Sequence, residues 1–292
     1  MFKSLADAIA TAEARGVSLA TAALAAESED SGRSVADIRA TLGRALVVMR
    51  GAIAQGETGE LRSSSGLVGG DAAKLRSGPA GPLADTLFRD VLMRALAVQE
   101  VNAAMGVIVA APTAGGAGVL PAVLTGLAQA RGIDDARLVD ALATAGLIGA
   151  VVAERASLSG AEGGCQAETG AAAGMAAGAA VEMLGGTPAQ VGHAVALAMQ
   201  GTLGLVCDPL GGLVELPCVF RNATGSAIAL AGIEMAMAGV EFAIPVDEVI
   251  DVMGEIGKAM DVRYRETAGG GLAATPTGRR LAKERLVQIK RG

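Results

Sequence analysis

The chain has 292 residues and a formal net charge of −6, and charged residues make up 18% and aromatic residues 2% of it. This length suits one large domain or two ordinary ones, and the negative charge argues against a general nucleic-acid binder. Trp is absent and the apolar content is largely Ala, Val, Leu, Met and Gly, which suits closely packed helices better than a β-sandwich. The composition therefore predicts an all-α fold.

Membrane insertion and secretion are both unexpected. The uncharged stretches 101–130 and 183–207 are interrupted by prolines and by glycines or polar residues, so neither resembles a plain apolar span of about 20 residues. Residues 1–16 carry acids within an alanine-rich helical pattern, unlike a signal peptide. Three cysteines, an odd number, fit metal-ligand duty in a reducing compartment better than a disulfide framework. We expect a soluble, cytoplasmic protein.

Helix start signals recur along the chain. Ser4, Ser18 and Ser34 each precede an alanine-containing helical pattern and predict the N-caps of three helices. Thr187, followed by a proline and three residues later by a glutamine, predicts another. We expect residues 1–55 to form a helical layer at the periphery of the same domain. Further helices are predicted at 82–105, 120–131, 135–157, 170–178, 188–204, 221–239, 245–260 and beyond 278.

The segment 56–82 is rich in glycine and serine, and its centre is Ser63, Ser64, Ser65 and Gly66. It is either a flexible linker or an ordered loop that offers hydroxyl and backbone N–H groups to an anion. A loop of this length without structure of its own is unusual in a compact domain. The ordered loop is therefore a candidate for gripping a carboxylate.

A second glycine-rich turn, at 110–121, contains Thr113, Gly115 and Gly116 and precedes a predicted helix. Backbone N–H groups in such a turn can face a carboxylate or a phosphate. The turn lacks the Gly-Lys-Ser/Thr of a P-loop and the dinucleotide-binding fingerprint, so nucleotide binding has little support.

The three cysteines, Cys165, Cys207 and Cys218, are far apart in sequence and do not form a compact metal-binding framework. By composition alone, buried free cysteines are about as expected as ligands. Each cysteine nevertheless lies beside Gly or Pro in a loop or at a helix start, where its sulfur can point into a shared cavity. Three thiolates suit a 4Fe–4S cluster in which one iron has no protein thiolate and can act as a Lewis acid.

Other ionisable candidates are few. Glu162 and Glu168 flank the first cysteine, and Asp208 directly follows the second. Each acid could orient a ligand or act as a base, and solvated or capping roles are equally expected. Lys258 and Arg265 could hold a substrate carboxylate or belong to the ordinary charged surface.

His193 is the only histidine and lies on an apolar predicted helix, so a satisfied core imidazole is expected. By count alone, a Cys3His zinc site is also compatible with the sequence. A Ser-His-Asp triad has almost no support, since the chain offers this one imidazole and it lies in an unpromising place.

Five glycine-rich motifs occur in order along the chain. They are SSSGLVGGD at 63–71, APTAGGAGVLP at 111–121, SGAEGGCQAETG at 159–170, CDPLGGLVELPC at 207–218 followed by RN, and ETAGGGLAATPTG at 266–278. Together they resemble the α chain of the iron–sulfur-dependent L-serine dehydratases. The resemblance covers nearly the whole chain from about residue 40 onward and includes all three cysteines.

The resemblance implies conversion of L-serine to pyruvate and ammonia without pyridoxal phosphate. Cys165, Cys207 and Cys218 match the family's 4Fe–4S ligands, and the fourth iron would take the serine hydroxyl and make hydroxide a better leaving group. Loss of the α-proton and of that hydroxyl gives aminoacrylate, which tautomerises and hydrolyses. The implied fold is a compact multi-helix domain whose glycine-rich loops converge on the cluster, with residues 56–292 as the α-chain catalytic domain.

Several assignments follow from the resemblance and the loop chemistry together. The serine loop, Ser63 to Gly66, is the first choice for the substrate carboxylate, and the turn with Thr113, Gly115 and Gly116 is the second. A monovalent cation such as K⁺ is a further cofactor to consider, and the sequence does not decide whether it is needed.

The family also has a β region, which some members carry fused ahead of the α region. We expect no such region here, because the chain begins directly with α-like helices, and its Ser/His motif is not found. The general base is therefore expected from a separate β subunit in a hetero-oligomer. Within this chain the lesser candidates for the base are Glu162, Glu168, Asp208 and Lys258.

Two alternatives stay open at this stage. The same cluster chemistry could act on L-threonine or another β-hydroxy acid. The chain could also be a helical scaffold whose cysteines are buried or bind structural zinc.

Overall fold

The computed structural model describes residues 2–79, 81–83 and 86–289, and these contain helices and no β-strand. The all-α prediction is therefore confirmed. The α-helices of the described residues are α1 (Leu5–Arg15), α2 (Leu19–Ser31), α3 (Val35–Gly56), α4 (Asp71–Ser77), α5 (Thr86–Ala103), α6 (Val119–Arg131), α7 (Asp135–Arg155), α8 (Gly160–Gly163), α9 (Ala171–Met183), α10 (Pro188–Gln200), α11 (Cys218–Met237), α12 (Val246–Ala259) and α13 (Pro276–Ile289).

The predicted N-caps are present. The hydroxyls of Ser4, Ser18 and Ser34 each accept a hydrogen bond from a backbone N–H in the first turn of α1, α2 or α3. Helix α10 starts with a complete capping box. The Thr187 hydroxyl accepts from the Gln190 N–H at 3.2 Å, and the Gln190 side chain accepts from the Thr187 N–H at 2.9 Å. These caps satisfy N–H groups that a helix start leaves without a partner.

The centre of the core is α9, which packs against α6, α7, α10 and α11. Every residue of α9 except Glu182 is buried. A Cβ atom at Gly178 would lie 2.6 Å from Ile148 Cδ1 and 2.8 Å from Val195 Cγ2, so α7 and α10 approach α9 as closely as a glycine surface permits. The alanine and glycine content of the sequence thus reflects short distances between helices.

The N-terminal helices share this core. Leu5, Leu19 and Leu46 belong to the same buried cluster as the residues of α9. The Asp247 carboxylate of α12 accepts hydrogen bonds at 2.9 Å from the N–H groups of Leu5 and Ala6, where the start of α1 leaves them free. Helices α1, α2 and α3 are therefore packed against the rest of the domain, and α1 is also hydrogen-bonded to it.

The serine- and glycine-rich segment 56–82 contains a helix, α4. The buried Glu100 carboxylate accepts hydrogen bonds from the N–H groups of Gly70, Asp71 and Ala72 at 2.9, 2.6 and 3.1 Å, which caps that helix with a negative charge. The predicted helix start at Pro82 is wrong. Proline permits a first helical turn without enforcing one, and here it lies in a turn before α5.

One described helix, α7, is long and apolar enough to cross a membrane by length and composition. In the fold, 61% of its apolar window is buried inside the protein, against α2, α3 and α9. A core helix passes the same composition test, so this one is weak evidence for a membrane span.

Candidate active site

The three cysteines lie on separate elements, and all three are free and buried. Cys165 joins α8 to a π-helical turn, Cys207 lies in an extended segment, and Cys218 is the first residue of α11. Gly164, before the first cysteine, has a φ of 75°, and a Cβ atom there would lie 2.7 Å from Met260 Sδ. Only glycine fits this turn without strain.

Gln166 fixes the turn around Cys165. Its side-chain nitrogen donates to the carbonyls of Gly163 and Met253 at 2.9 and 3.0 Å, and its oxygen accepts from the Gly204 N–H at 2.9 Å. Gln166 is fully buried and lies in the π-helical turn, a rare element that often occurs at functional sites. Sequence reasoning missed this residue, because two of its three partners, Met253 and Gly204, are distant in sequence.

The segment around Cys207 pairs with the last glycine-rich loop. The Cys207 N–H donates to the Tyr264 carbonyl at 2.8 Å, and the Glu266 N–H donates to the Cys207 carbonyl at 2.9 Å. This isolated parallel bridge aligns Cys207 with Arg265. The 266–278 motif is thereby attached to the thiols by its first residue.

An arginine lies beside the thiols. The Arg221 guanidinium forms an ion pair of 2.7 Å with Asp208 and donates to the Val206 carbonyl at 2.8 Å, and its positive charge opposes the rise in the pKa of the Cys165 thiol. Asp208 in turn accepts from the Leu272 N–H at 2.6 Å. The predicted base Asp208 is therefore held in an ion pair that joins α11 to both loops.

Glu168 occupies a notch between two glycines of different motifs. Thr113 donates to its Oε1 at 2.7 Å, and the Cys207 Sγ is 3.9 Å from its Oε2. A Cβ atom at Gly115 would lie 2.8 Å from this carboxylate, and one at Gly160 would lie 2.7 Å from it. Burial raises the pKa of Glu168, and the hydrogen bond from Thr113 opposes that rise.

The serine loop already holds an anion that belongs to the protein. Ser63 donates its hydroxyl to the Glu215 carboxylate at 2.7 Å, and Ser65 donates its N–H at 3.1 Å and its hydroxyl as well. Glu215 is buried and lies three residues before Cys218, outside α11. Ser64 and Gly66 are exposed on the other side of the loop. The loop is therefore built around Glu215, which sequence reasoning did not single out.

Asn222 connects the remaining glycine-rich turn to α11. It accepts from the Gly118 N–H at 2.9 Å and donates to the carbonyls of Gly115 and Cys218 at 2.7 and 2.9 Å. This buried amide orders the turn that contains Gly115 and Gly116, and it explains why an asparagine follows the third cysteine by four residues.

The thiols influence one another electrostatically. Burial raises the pKa of Cys165, of Cys207, and of Cys218, the last to about 12. Negative charge on Cys165 and Glu168 raises the pKa of Cys207 and Cys218 further, while Arg221 lowers that of Cys165 and Cys218. Thiolates at such positions need a positive partner, which a bound metal cluster provides. The donor set therefore fits a cluster.

A family model described as serine dehydratase alpha chain matches residues 14–273. The chain is also 46% identical over 288 residues, which is 97% of this chain and 95% of the relative, to a Bacillus subtilis protein named "Probable L-serine dehydratase, alpha chain". The chain belongs to the serine dehydratase alpha-chain family. The resemblance predicted from the motifs is confirmed, and with it the prediction that the chain belongs to a family of lyases.

Two further relatives describe the range of this family. The chain is 43% identical over 205 residues to the "L-serine dehydratase, alpha chain" of Peptoniphilus asaccharolyticus, covering 69% of this chain and 70% of the relative. It is 43% identical over 267 residues to the "L-serine dehydratase" of Streptomyces coelicolor, covering 89% of this chain but only 58% of that longer protein.

In this serine dehydratase alpha chain, not every predicted residue lies with the thiols. Glu162 is exposed and accepts from the Ser157 hydroxyl at 2.6 Å. Lys258 is also exposed, and these two side chains line a cavity with Arg265 into which no cysteine projects. The geometry thus separates Glu162 and Lys258 from Glu168 and Asp208.

His193 accepts a hydrogen bond from the Phe242 N–H at its Nδ1, 3.3 Å away, as expected of a packed imidazole. Among the described residues of this chain, no group of three His, Cys, Asp or Glu side chains is arranged to hold a single metal ion. A 4Fe–4S cluster distributes its thiolate ligands over different irons, so it does not require that arrangement.

Proposed function

We propose that this chain is the cluster-bearing α chain of an L-serine dehydratase that converts L-serine to pyruvate and ammonia. The observation that supports the proposal is that three buried thiols from different motifs act on one another electrostatically, with Arg221 acting on Cys165 and Cys218, in a member of this family. A 4Fe–4S cluster held by Cys165, Cys207 and Cys218 would supply Lewis-acid assistance to loss of the β-hydroxyl, through an iron without a protein thiolate.

The chain's own residues supply substrate positioning. We retain Ser63, Ser64, Ser65 and Gly66 as the loop that faces the substrate carboxylate. Since Ser63 and Ser65 already donate to Glu215, their task is to hold the loop, and the exposed Ser64 hydroxyl is the group left to contact the substrate. The second candidate turn, with Thr113, Gly115 and Gly116, lies against Glu168.

Glu168 is the in-chain candidate to hold the substrate proton, at Oε2. Asp208 is ion-paired with Arg221, and Glu162 and Lys258 line a cavity that no cysteine lines. Glu168 lies next to Cys207 and its pKa is raised by burial, both of which suit a proton carrier near the reacting centre. A second source of the base is a separate β chain.

We further propose that the chain works as a hetero-oligomer with a β chain in the cytoplasm. Two relatives carry the name alpha chain, and the longer Streptomyces protein contains much sequence that this chain does not match. Three buried, unpaired thiols suit a reducing compartment.

Pyruvate release from L-serine by the anaerobically purified chain, alone and with a candidate β chain, tests the activity. We expect release from L-serine that is slow or absent with the chain alone and fast with both chains. L-threonine is the matched alternative substrate, because it carries the same reacting atoms and one additional methyl group. Absence of pyruvate from a complex that contains its cluster would defeat the serine assignment.

A further inference from the structure

The cavity lined by Glu162, Lys258 and Arg265 lies against the turn that carries Cys165. Its volume is about 310 Å³, and it is bounded by the backbone at Gly163, by Gly257 of α12, and by the side chains of Glu162, Lys258 and Arg265. None of the three cysteines lines it. The cavity is therefore separated from the thiols by the thickness of the turn itself.

Arg265 is anchored on this wall but its side chain lacks an acceptor. Its position is fixed by the bridge to Cys207, and its Nε is enclosed without a hydrogen-bond partner among the described residues. The charge of Arg265 lowers the pKa of Asp261, but the Asp261 carboxylate accepts its hydrogen bonds from Arg263, at 3.0 and 3.1 Å. The terminal guanidinium nitrogens of Arg265 also form no hydrogen bond within the described residues, and they are the donors that an acceptor in the cavity can reach.

The charges that face the cavity are unbalanced. Lys258, in the last turn of α12, has an exposed ammonium group without an ion-pair partner in the described residues. Glu162 is the one acid among the residues that line the cavity, and it accepts from the Ser157 hydroxyl at 2.6 Å. Two cations against one acid leave a net positive charge, which attracts an anion.

We propose that this cavity binds a small oxyanion, a carboxylate or a phosphate, between the Arg265 guanidinium and the Lys258 ammonium group. Its volume is at the lower end of ligand pockets, which run from roughly 300 to 1,000 Å³, so it admits a molecule the size of an amino acid or inorganic phosphate and excludes a nucleotide. Arg265 is suited to such planar or tetrahedral anions because its donors form a rigid fork.

The bound anion stiffens the Cys165 turn from behind. Gly163 lines the cavity two residues before Cys165, and a Cβ atom at Gly257 would lie 2.8 Å from Gly163 Cα. With the turn packed this closely on α12, an anion that bridges Lys258 and Arg265 restrains it against both α12 and the Cys207 bridge. This inference goes beyond the proposed function, since binding needs neither cluster nor substrate turnover.

Calorimetric titration of the full chain with inorganic phosphate and, separately, with acetate tests the site. We expect saturable binding of at least one of the two at one site per chain, and the stronger arm identifies the source as phosphate or carboxylate. Arg265→Gln is expected to weaken binding at least tenfold, and Lys258→Gln to weaken it as well. The control Arg279→Gln removes the same charge from an exposed position on α13 and leaves binding unchanged.

Hydrogen exchange supplies an independent readout. An anion concentration that just saturates the unsubstituted chain should slow amide exchange in residues 160–166 of that chain and of Arg279→Gln, and should slow it less in Lys258→Gln. Should Arg265→Gln fail to fold, Lys258→Gln decides alone, because its side chain is exposed. The proposal is overturned if neither anion binds saturably, or if Arg279→Gln weakens binding as much as Lys258→Gln does.

Discussion

Glycine has different neighbours in α9 and in the loops around the thiols. In α9, Gly174 and Gly178 face apolar side chains such as Met199 and Ile148. Around the thiols, Gly115 and Gly160 face the Glu168 carboxylate. The first pair allows helices to pack closely, and the second makes room for polar groups in a buried place. Substitution of a glycine in α9 should therefore lower the stability of the fold. Substitution of a glycine in the loops should instead lower the activity of the site.

Cys207→Ala should have the largest effect on the loop side of this comparison. We expect loss of both the cluster and detectable serine dehydratase activity, because Cys207 is one of three thiols and a cluster on two is poorly held. Helical circular dichroism should largely persist, since α9 and its neighbours do not depend on this residue. Full activity in the variant would remove Cys207 from the site.

Gly160→Ala tests the notch itself. The added methyl group would lie 2.7 Å from Glu168 Oε2 and 3.2 Å from Cys207 Sγ, so both must move. We expect at least a tenfold loss of activity with a smaller loss of cluster, measured as pyruvate release per bound iron. Gly146→Ala is the control, because that position on α7 faces open space, and unchanged activity in both variants would contradict the role of the notch.

Gly178→Ala tests the core side. Its methyl group would meet Ile148 and Val195, and overpacking of this kind costs about 1–3 kcal/mol. Denaturant unfolding should show that loss of stability, while activity per folded, cluster-loaded molecule stays near that of the unsubstituted chain. A selective loss of activity without a change in unfolding free energy would show that α9 acts on the site directly.

Glu215→Gln tests whether the serine loop depends on a buried negative charge. The amide replaces one acceptor oxygen with a donor that faces the Ser63 and Ser65 hydroxyls, and an unpaired buried group costs about 1–3 kcal/mol. We expect that loss in unfolding free energy. In a double-mutant cycle, Ser65→Ala should cost less in the Glu215→Gln background than alone, and strictly additive effects would show that the two residues are not coupled.

Glu182→Gln should have the smallest effect. Burial raises the pKa of Glu182, and the hydrogen bond from Thr144 opposes the rise. A raised pKa in the folded state means that the neutral form folds better, so stability from this group is present at acid pH and lost as pH rises through the folded pKa. The unfolding free energy, measured in urea between the unfolded and folded pKa values of Glu182, should depend less on pH in the variant. An unchanged pH profile would show that Glu182 does not cause the pH dependence.

The sequence predicts those parts of the structure that depend on neighbouring residues. The caps at Ser4 and Thr187 need partners only three residues away, so they can be found by pattern. Glu215 could not be found in this way, because its partner Ser63 is 152 residues distant in sequence. Its signal was present as one acid within the otherwise apolar run before Cys218.

Gln166 and Arg221 escaped prediction for the same reason. Their partners Met253, on α12, and Asp208 are brought close to them only by the packed fold. The cysteines themselves were predicted as a set from motif resemblance, since their spacing alone matches no metal framework. The polar residues that surround a site are thus harder to predict than the residues that define it.

Iron and acid-labile sulfide in the anaerobically purified chain test the central claim most directly. We expect about four irons and four sulfides per chain, with a broad visible absorption that bleaches in air. Zinc in their place, or a colourless protein with three intact thiols, would contradict it.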